Sequence, residues 1–249
     1  MSFTIAHTVE EALAAIAAGA RPIAGGTDLV VGARHGKSAL PNDLVAIDRI
    51  EELKSVVTTK DGVSIGALVT HHDIEMHPLL STSYAGLADG SALVGSPSTR
   101  HIGTLGGNIM NASPAMDTGA PLAVMRAEVE LRSARGSRRV PIEELWTAPG
   151  KTSAKQDELC VAIHIPATTA RSNSAYVRLE YRRAMEIAVV GAAAFVALAE
   201  DGTIAALRVG LTAVSPTIFT GDFLGQVGRS VADAAAHAAL ISMEQATPI

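Results

Sequence analysis

Two pairs of adjacent glycines, Gly25-Gly26 and Gly106-Gly107, constrain this chain more than any other feature of it. The first stands in Ala24-Gly25-Gly26-Thr27-Asp28, after the apolar run Pro22-Ile23 and before a second apolar segment, Leu29–Val31. Glycine there lets the backbone take positive φ and lets another group approach where a Cβ would stand. Successive N–H groups of such a turn can converge on an anion, helped by a helix that starts just beyond it. The run is not the G-x-G-x-x-G dinucleotide pattern, and on its own a tight turn explains it equally well. The second pair changes that weighting. Ile102-Gly103-Thr104-Leu105-Gly106-Gly107-Asn108 is again dense in glycine and lacks the alternation of a strand. Asn108 can donate to a phosphate or ribose oxygen. The loop Asn111-Ala112-Ser113-Pro114-Ala115-Met116-Asp117 follows, with polar groups on a backbone stiffened by proline. The chain has no P-loop lysine, so two backbone nests would have to neutralise a diphosphate.

The elements around the turns alternate between helix and strand. Thr8-Val9-Glu10-Glu11 reads as a capping box opening an Ala-rich helix that carries Leu13 and Ile16 and ends at Gly19. Leu44–Ile47 reads as the second strand. Ser55–Thr58 and Val63–Gly66 flank a Lys60-Asp61-Gly62 hairpin turn. Thr70 with Asp73 caps a short helix that Pro78 terminates, and Ser81 to Val94 is an expected Ala-rich helix. Strands recur at Val129–Ser133 and Leu159–Ile165, with a helical turn at Pro141–Leu145 between them. Composition shifts to Thr, Ala, Ser and Asn over Ala167–Ser174, which marks a domain boundary. Beyond it Gly191–Ala199 and Ile204–Thr212 make a second hairpin, and Ser230 with Asp233 caps a final helix to Glu244.

Several functions lose support at this level. The formal charge of -5 and the scarcity of aromatic rings argue against a nucleic-acid surface. Arg132, Arg135, Arg138 and Arg139 read instead as a solvated hairpin. The single cysteine, Cys160, sits in the apolar run Leu159–Ile163 and reads as a buried inert thiol. Alone it cannot ligate an iron–sulphur cluster. His71-His72 reads as a solvated helix start rather than a metal site. His101, beside the second turn, is a candidate ligand contact. Ser96, Ser98 and Ser113 lack a nucleophile elbow, and Glu51-Glu52 and Glu143-Glu144 look like exposed helix turns. With no signal peptide in view at the N-terminus and no long apolar run, the expectation is a cytoplasmic protein without a transmembrane segment.

The pair A-G-G-T-D and T-L-G-G-N, with Ile102-Gly103 before the second and N-A-S-P-A-x-D after it, resembles the FAD-binding (medium) subunit of molybdenum hydroxylases. That family includes the medium subunit of carbon monoxide dehydrogenase and the FAD subunits of xanthine, nicotine and other N-heterocycle dehydrogenases. The resemblance runs on through Glu158-Leu159, Tyr176, the stretch Arg182-Arg183-Ala184 to Gly191, and Val214-Ser215-Pro216-Thr217. It implies an α+β fold. A two-lobed FAD-binding domain of the vanillyl-alcohol-oxidase/p-cresol-methylhydroxylase type would span 1–167, with lobes of about 1–50 and 51–167. A C-terminal domain of the carbon monoxide dehydrogenase flavoprotein type, a small antiparallel sheet with helices, would span 168–249. Ala24, Gly25, Gly26, Thr27, Asp28 and Leu29, with Ile102, Thr104, Leu105, Gly106, Gly107 and Asn108, are then implied at the pyrophosphate and ribitol. Asp117 is implied at the adenosine ribose, the Leu159 backbone near the flavin or adenine, and Tyr176 and Arg178 near the flavin ring, where many relatives carry Lys in place of Arg178.

The function implied is that of an oxidoreductase subunit without catalytic acid or base. It would take electrons from [2Fe–2S] clusters of a small partner, beside a large molybdopterin-binding partner, and pass them through FAD to an external acceptor such as NAD, a quinone or oxygen. A dimer of such heterotrimers is the implied assembly. A self-contained flavin oxidoreductase of the same fold, or a nucleotide-binding module without flavin, is left open by the residues alone.

Overall fold

The computed structural model describes residues 2–36, 39–182 and 184–246. Its first layer is β1 (Ser2–Ile5), α1 (Val9–Ala17), β2 (Arg21–Ile23), α2 (Leu29–Arg34) and β3 (Asp43–Ala46), with the strands parallel in the order β1-β3-β2. Helix α1 forms because Thr8 accepts from the Glu11 amide at 3.2 Å and because Val9, Ala12, Leu13 and Ile16 share one buried face. The Glu11 carboxylate reaches the His7 amide at 2.7 Å, one residue earlier than the capping box requires, so the expected box is half formed. Strand β1 escaped the sequence reading. All four of its side chains are exposed, so no alternation marks it, and only its pairing with β3 reveals it.

The second layer begins with a short 3-10 turn at Glu51–Lys54, then β4 (Val56–Thr59) and β5 (Gly62–Gly66). A run of helices follows: α3 (His71–Met76), α4 (Pro78–Ser83), α5 (Ala85–Ala92), α6 (Pro97–Arg100), α7 (Leu105–Asn111) and α8 (Gly119–Val124). The chain then returns through β6 (Glu128–Ser133), β7 (Gly136–Pro141), α9 (Ile142–Leu145), the short ribbon β8 (Trp146–Ala148) and β9 (Lys151–Thr152), and β10 (Leu159–Pro166). Five strands pair antiparallel in the order β4-β5-β10-β6-β7. The helix expected from Ser81 to Val94 is two helices. Tyr84 breaks it, buried with non-helical backbone between α4 and α5. Pro78 does end α3 and at once opens α4, where the missing amide of a proline at N1 costs nothing.

Strand β10 decides how the layers stack. Leu159 and Val161 point into the core built on α1 and β3, whereas Cys160, Ile163 and Ile165 point into the larger core under the helices. Period two on one strand thus serves two cores, with a register shift between Cys160 and Ala162. Cys160 is fully enclosed and burial pushes its thiol up to about 12, which fits the inert reading.

The last layer is a four-stranded antiparallel sheet, β11 (Ser172–Leu179), β12 (Val190–Leu198), β13 (Ile204–Thr212) and β14 (Phe219–Asp222), covered at one end by α10 (Val231–Gln245). Strand β11 already begins at Ser172, inside the stretch whose composition marked a boundary, so the connector is shorter than expected. Tyr176, Ala193 and Ile218 of this layer belong to the same buried cluster as the helical layer. Ser230 caps α10 as expected, accepting from the Asp233 amide at 3.2 Å.

The arginines of the β6–β7 hairpin are paired within the protein: Arg132 with Glu130, Arg135 with Asp157, Arg138 with Glu158 and Arg139 with Glu128. Arg138 grips Glu158 with both nitrogens, at 2.7 and 2.8 Å, and this holds the Glu158 carboxyl at about 2. Because the folded value lies below the unfolded one, the pair contributes its full stability above about pH 4.5 and loses it as the pH falls toward 2. Glu158→Gln should lower stability at pH 7 by about 1–2 kcal/mol, after allowance for screening around the part-exposed Arg138. Chemical denaturation at pH 7 and pH 3 checks this: the gap between the two proteins should narrow at the lower pH.

Candidate functional site

The first glycine turn leaves β2 at Ile23 and enters α2 at Leu29. Gly26 lies at φ +69, and its carbonyl accepts the Val30 amide at 2.9 Å, so the helix starts on the turn itself. Among the described residues, the N–H groups of Gly25, Gly26, Thr27 and Asp28 have no acceptor in the protein. Consecutive free amides of this kind are an anion cradle. The Asp28 carboxylate makes no cap bond to α2 and instead accepts from Asn111 Nδ2 at 3.2 Å.

The second turn is built differently. Thr104 caps α7 by accepting from the Gly107 amide at 3.1 Å. The Leu105, Gly106 and Asn108 amides donate to the Val69, Ala67 and Thr104 carbonyls. The expectation of a second backbone nest is therefore corrected, because these amides are engaged by strand β5's continuation and by the helix. What the turn offers is side-chain donors. Thr118, fully buried, donates to Asn108 Oδ1 at 2.6 Å, which leaves Asn108 Nδ2 without an acceptor among the described residues. The Thr104 hydroxyl proton is likewise uncommitted within that set.

The two turns meet. A Cβ on Gly25 would lie 2.0 Å from the Ile102 carbonyl oxygen, so the backbones of the first turn and of Ile102 are in direct contact. One on Gly103 would stand 3.6 Å from Thr27 Oγ1 and 3.4 Å from His71 Cδ2. A Cβ on Gly106 would strike Ala67 at 2.7 Å. Gly25 and Gly106 are thus glycines because protein, not ligand, fills their Cβ positions. At the exposed Gly107 the sole neighbour is Thr104 Oγ1 at 3.0 Å, so the space beyond is open.

His71 corrects another expectation. It is 1% exposed rather than solvated, its Nδ1 has no partner among the described residues, and burial together with nearby Arg100 lowers it to about 4. Its amide donates to the Gly103 carbonyl at 3.1 Å. Beside it His72 stacks on His101 with ring centroids 3.9 Å apart, and Arg100 pairs with Glu75 at 3.1 Å. Helix α3 thereby fixes the Thr99–Gly103 segment on which Gly25 rests.

A second cluster lies one residue from Thr118. Tyr176 Oη donates to Asp117 Oδ1 at 2.9 Å, and Arg178 Nη1 donates to Asp117 Oδ2 at 2.7 Å. Arg178 also reaches the Leu93 carbonyl and Glu180, and its side chain is 2% exposed. Burial pushes the Asp117 carboxyl up while Arg178 and Tyr176 draw it down; burial and Asp117 keep the Tyr176 phenol protonated. Gly191 makes room for this, since a Cβ there would lie 2.0 Å from Tyr176 Oη and 2.4 Å from Thr212 Oγ1. Each Asp117 oxygen accepts one hydrogen bond within the protein, from Tyr176 and from Arg178. Asp117 ties β11 to the start of α8.

The structure therefore gathers Ala24–Asp28 with Ile102–Asn108, and Asp117 with Tyr176 and Arg178, joined through Thr118. Leu159 stands apart, its side chain in the first core and its backbone in register with Arg132. Within the Arg182–Gly191 run, Arg183 lies outside the described residues. The sequence reading gave no site role to His71, Thr118, Gly191 or Thr212. Only Gly191, at the head of an apolar strand, carried any signal.

A family model described as the FAD binding domain in molybdopterin dehydrogenase matches residues 1–168. The putative xanthine dehydrogenase FAD-binding subunit XdhB of Escherichia coli (strain K12) is 32% identical over 200 residues, 80% of this chain and 68% of that protein. The carbon monoxide dehydrogenase medium chain of Hydrogenophaga pseudoflava is 30% identical over 215 residues, 84% of this chain and 74% of its own. Among solved structures, carbon monoxide dehydrogenase from Hydrogenophaga pseudoflava, in a form lacking the Mo-pyranopterin moiety, superposes with a TM-score of 0.93 at 26% identity. The match covers 100% of this chain and 88% of that one. Quinoline 2-oxidoreductase from Pseudomonas putida 86 gives 0.89 at 25% identity, over 100% and 87%.

Two outcomes follow from the geometry. His71 folds with a value below its ordinary 6.5, so its contribution is intact above pH 6.5 and is lost as the pH falls toward 4, by up to about 3 kcal/mol. His71→Gln should flatten the pH dependence of stability across that window, which equilibrium unfolding at pH 7, 5.5 and 4 would reveal. Gly25→Ala should destabilise even flavin-free protein by about 1–3 kcal/mol, since the methyl group meets backbone. An unchanged melting temperature would contradict the contact with Ile102.

Proposed function

The chain belongs to the family of FAD-binding domains of molybdopterin dehydrogenases, and we propose that it serves as the electron-transfer subunit of a heteromeric molybdenum hydroxylase. It is the FAD-binding subunit of such a dehydrogenase, an oxidoreductase component. On this reading a small partner with [2Fe–2S] clusters delivers the electrons, a large molybdopterin-binding partner hydroxylates the substrate, and two such heterotrimers pair in the cytoplasm. Relatives named as a medium chain and as a subunit of a dehydrogenase complex support the assembly. Among the described residues no helix is long and apolar enough to cross a membrane.

The observation that carries the flavin site is the run of free amides at Gly25–Asp28, in a turn that packs on the segment leading into Thr104 and Asn108. The amides would hold the pyrophosphate, with Gly26 supplying the positive φ that turns them together. Thr104 and Asn108 would complete the hydrogen bonds of the phosphate and ribitol, and open space at Gly107 would let them approach. Ile102 and Leu29 would supply apolar contacts, and the buried Leu105 would anchor the second turn in the core. Tyr176 and Arg178, locked by Asp117, would border the ring, and Leu159 would contribute through backbone alone. When bound, FAD supplies a two-electron centre that partner clusters fill one electron at a time and an external acceptor empties. The protein's part is to bind and orient, and no side chain of it need exchange a proton with the substrate.

Gly107→Val should leave the fold intact and weaken FAD roughly 10–100-fold, the scale of one or two lost hydrogen bonds. Flavin absorbance relative to protein, with circular dichroism as the folding control, measures it. The chain purified alone should carry FAD but neither iron nor molybdenum, and its flavin should stay oxidised when N-heterocycles or aldehydes are added anaerobically. Reduction of the isolated chain's flavin by an organic substrate at catalytic rates would replace this reading with a self-contained flavoenzyme.

A further inference from the structure

Arg208 on β13 is anomalous. Its guanidinium carbon lies 4.6 Å over the Phe195 ring, and its Nε is buried with no hydrogen-bond partner. Among the described residues no carboxylate comes within ion-pair distance of it, whereas Arg178, also deeply placed, is held by Asp117 and Glu180. Arg208 is half-buried, and a buried N–H without an acceptor is costly until a group that accepts from the guanidinium is bound beside it. Beside it lies a cavity of about 200 Å³ between the end of α8 and the β13–β14 edge, far more than one bridging water requires.

We propose that this cavity is a second ligand site, which takes a small monocarboxylate gripped by Arg208 at the seam between the flavin-binding layers and the C-terminal sheet. The planar fork of a guanidinium matches a carboxylate with two parallel hydrogen bonds. Arg126, in the left-handed position that caps the end of α8 (φ 55), brings a second guanidinium to the same cavity. Its partner is Asp222, at 2.8 Å. Glu143 is held by the Thr220 hydroxyl on the cavity wall. These two rim carboxylates oppose each added negative charge, so a singly charged anion is favoured over a doubly charged one. Burial and the neighbouring Arg126 pull Arg208 below its ordinary value, while Asp222 and Glu143 act the other way, and a bound anion removes that penalty. The occupant would touch α8 and β13 at once and so hold the two layers together.

The test uses the purified FAD-loaded chain with acetate as probe, against sodium chloride at equal ionic strength, and inorganic phosphate as a second probe. Melting is followed by circular dichroism and flavin content by absorbance. Acetate should raise Tm saturably by roughly 2–4 °C. Arg208→Met should abolish that rise with flavin content unchanged. Asp222→Asn, which removes one rim charge, should give the same rise at several-fold lower acetate. A rise no larger than that of chloride, or an equal rise in Arg208→Met, would overturn the site. A stronger effect of phosphate than of acetate would overturn its preference for a single charge. Should Arg208→Met fail to fold, the direction of the Asp222→Asn change decides, since an unshifted acetate midpoint contradicts the proposal. Because circular dichroism reads the site whether or not flavin is bound, its failure is distinct from any failure of the flavin assignment.

Discussion

The close approach of the Gly25 backbone to the Ile102 carbonyl is the contact on which the candidate site depends. It brings a turn from the parallel three-stranded layer against a loop from the helical layer, where any side chain would hold them apart. The meeting of the two turns follows from it: Thr27 comes beside Gly103, and Asp28 comes within reach of Asn111. Helix α3 supports the loop from below through His71, the His72–His101 stack and the Arg100–Glu75 pair. The joint is therefore a layered one, glycine on loop and loop on buried imidazole.

Division of labour between the turns is the second feature. One presents backbone donors because no acceptor among the described residues occupies them. The other has its backbone donors satisfied and presents Thr104 and Asn108 instead. A dinucleotide needs both kinds of partner, since phosphate oxygens suit converging amides and sugar hydroxyls suit adaptable side chains. Thr118 links this arrangement to the Asp117 clasp, so the second turn and the C-terminal sheet share one chain of hydrogen bonds.

Much of this was legible in the sequence where the signal is local. The Thr8, Thr70 and Ser230 caps, the Asp61-Gly62 turn and both hairpins depend on residues a few positions apart, and they stand where composition and spacing placed them. The glycine pairs were visible too, but their physical reason was not. Gly25 and Gly106 looked like places for a ligand to approach, and protein backbone occupies both positions. His71 sits on what reads as a polar helix start, and only the fold reveals Gly103 and Arg100 around it. Asp117 was visible as a loop carboxylate, yet its partners lie far along the chain on β11. Strand β1 and the break at Tyr84 failed for the same reason, because tertiary contacts decided them against weak local preference.

Strand β10 has one more consequence, for the order in which the protein can be made. The layer that leaves the ribosome first closes its core with Leu159 and Val161, which are translated only after every helix of the second layer. Until then the apolar face of α1 and β3 has only the early residues Ile50, Leu53 and Leu68 to cover it and lacks the side chains of β10. Long-range pairing of β5 with β10 is slow to form, and nascent chains with open apolar faces are the ones that chaperones bind and that aggregate when crowded. A fold whose first segment is completed by one of its later ones has vectorial synthesis working against it, and its yield in a cell will depend on how long that face is shielded.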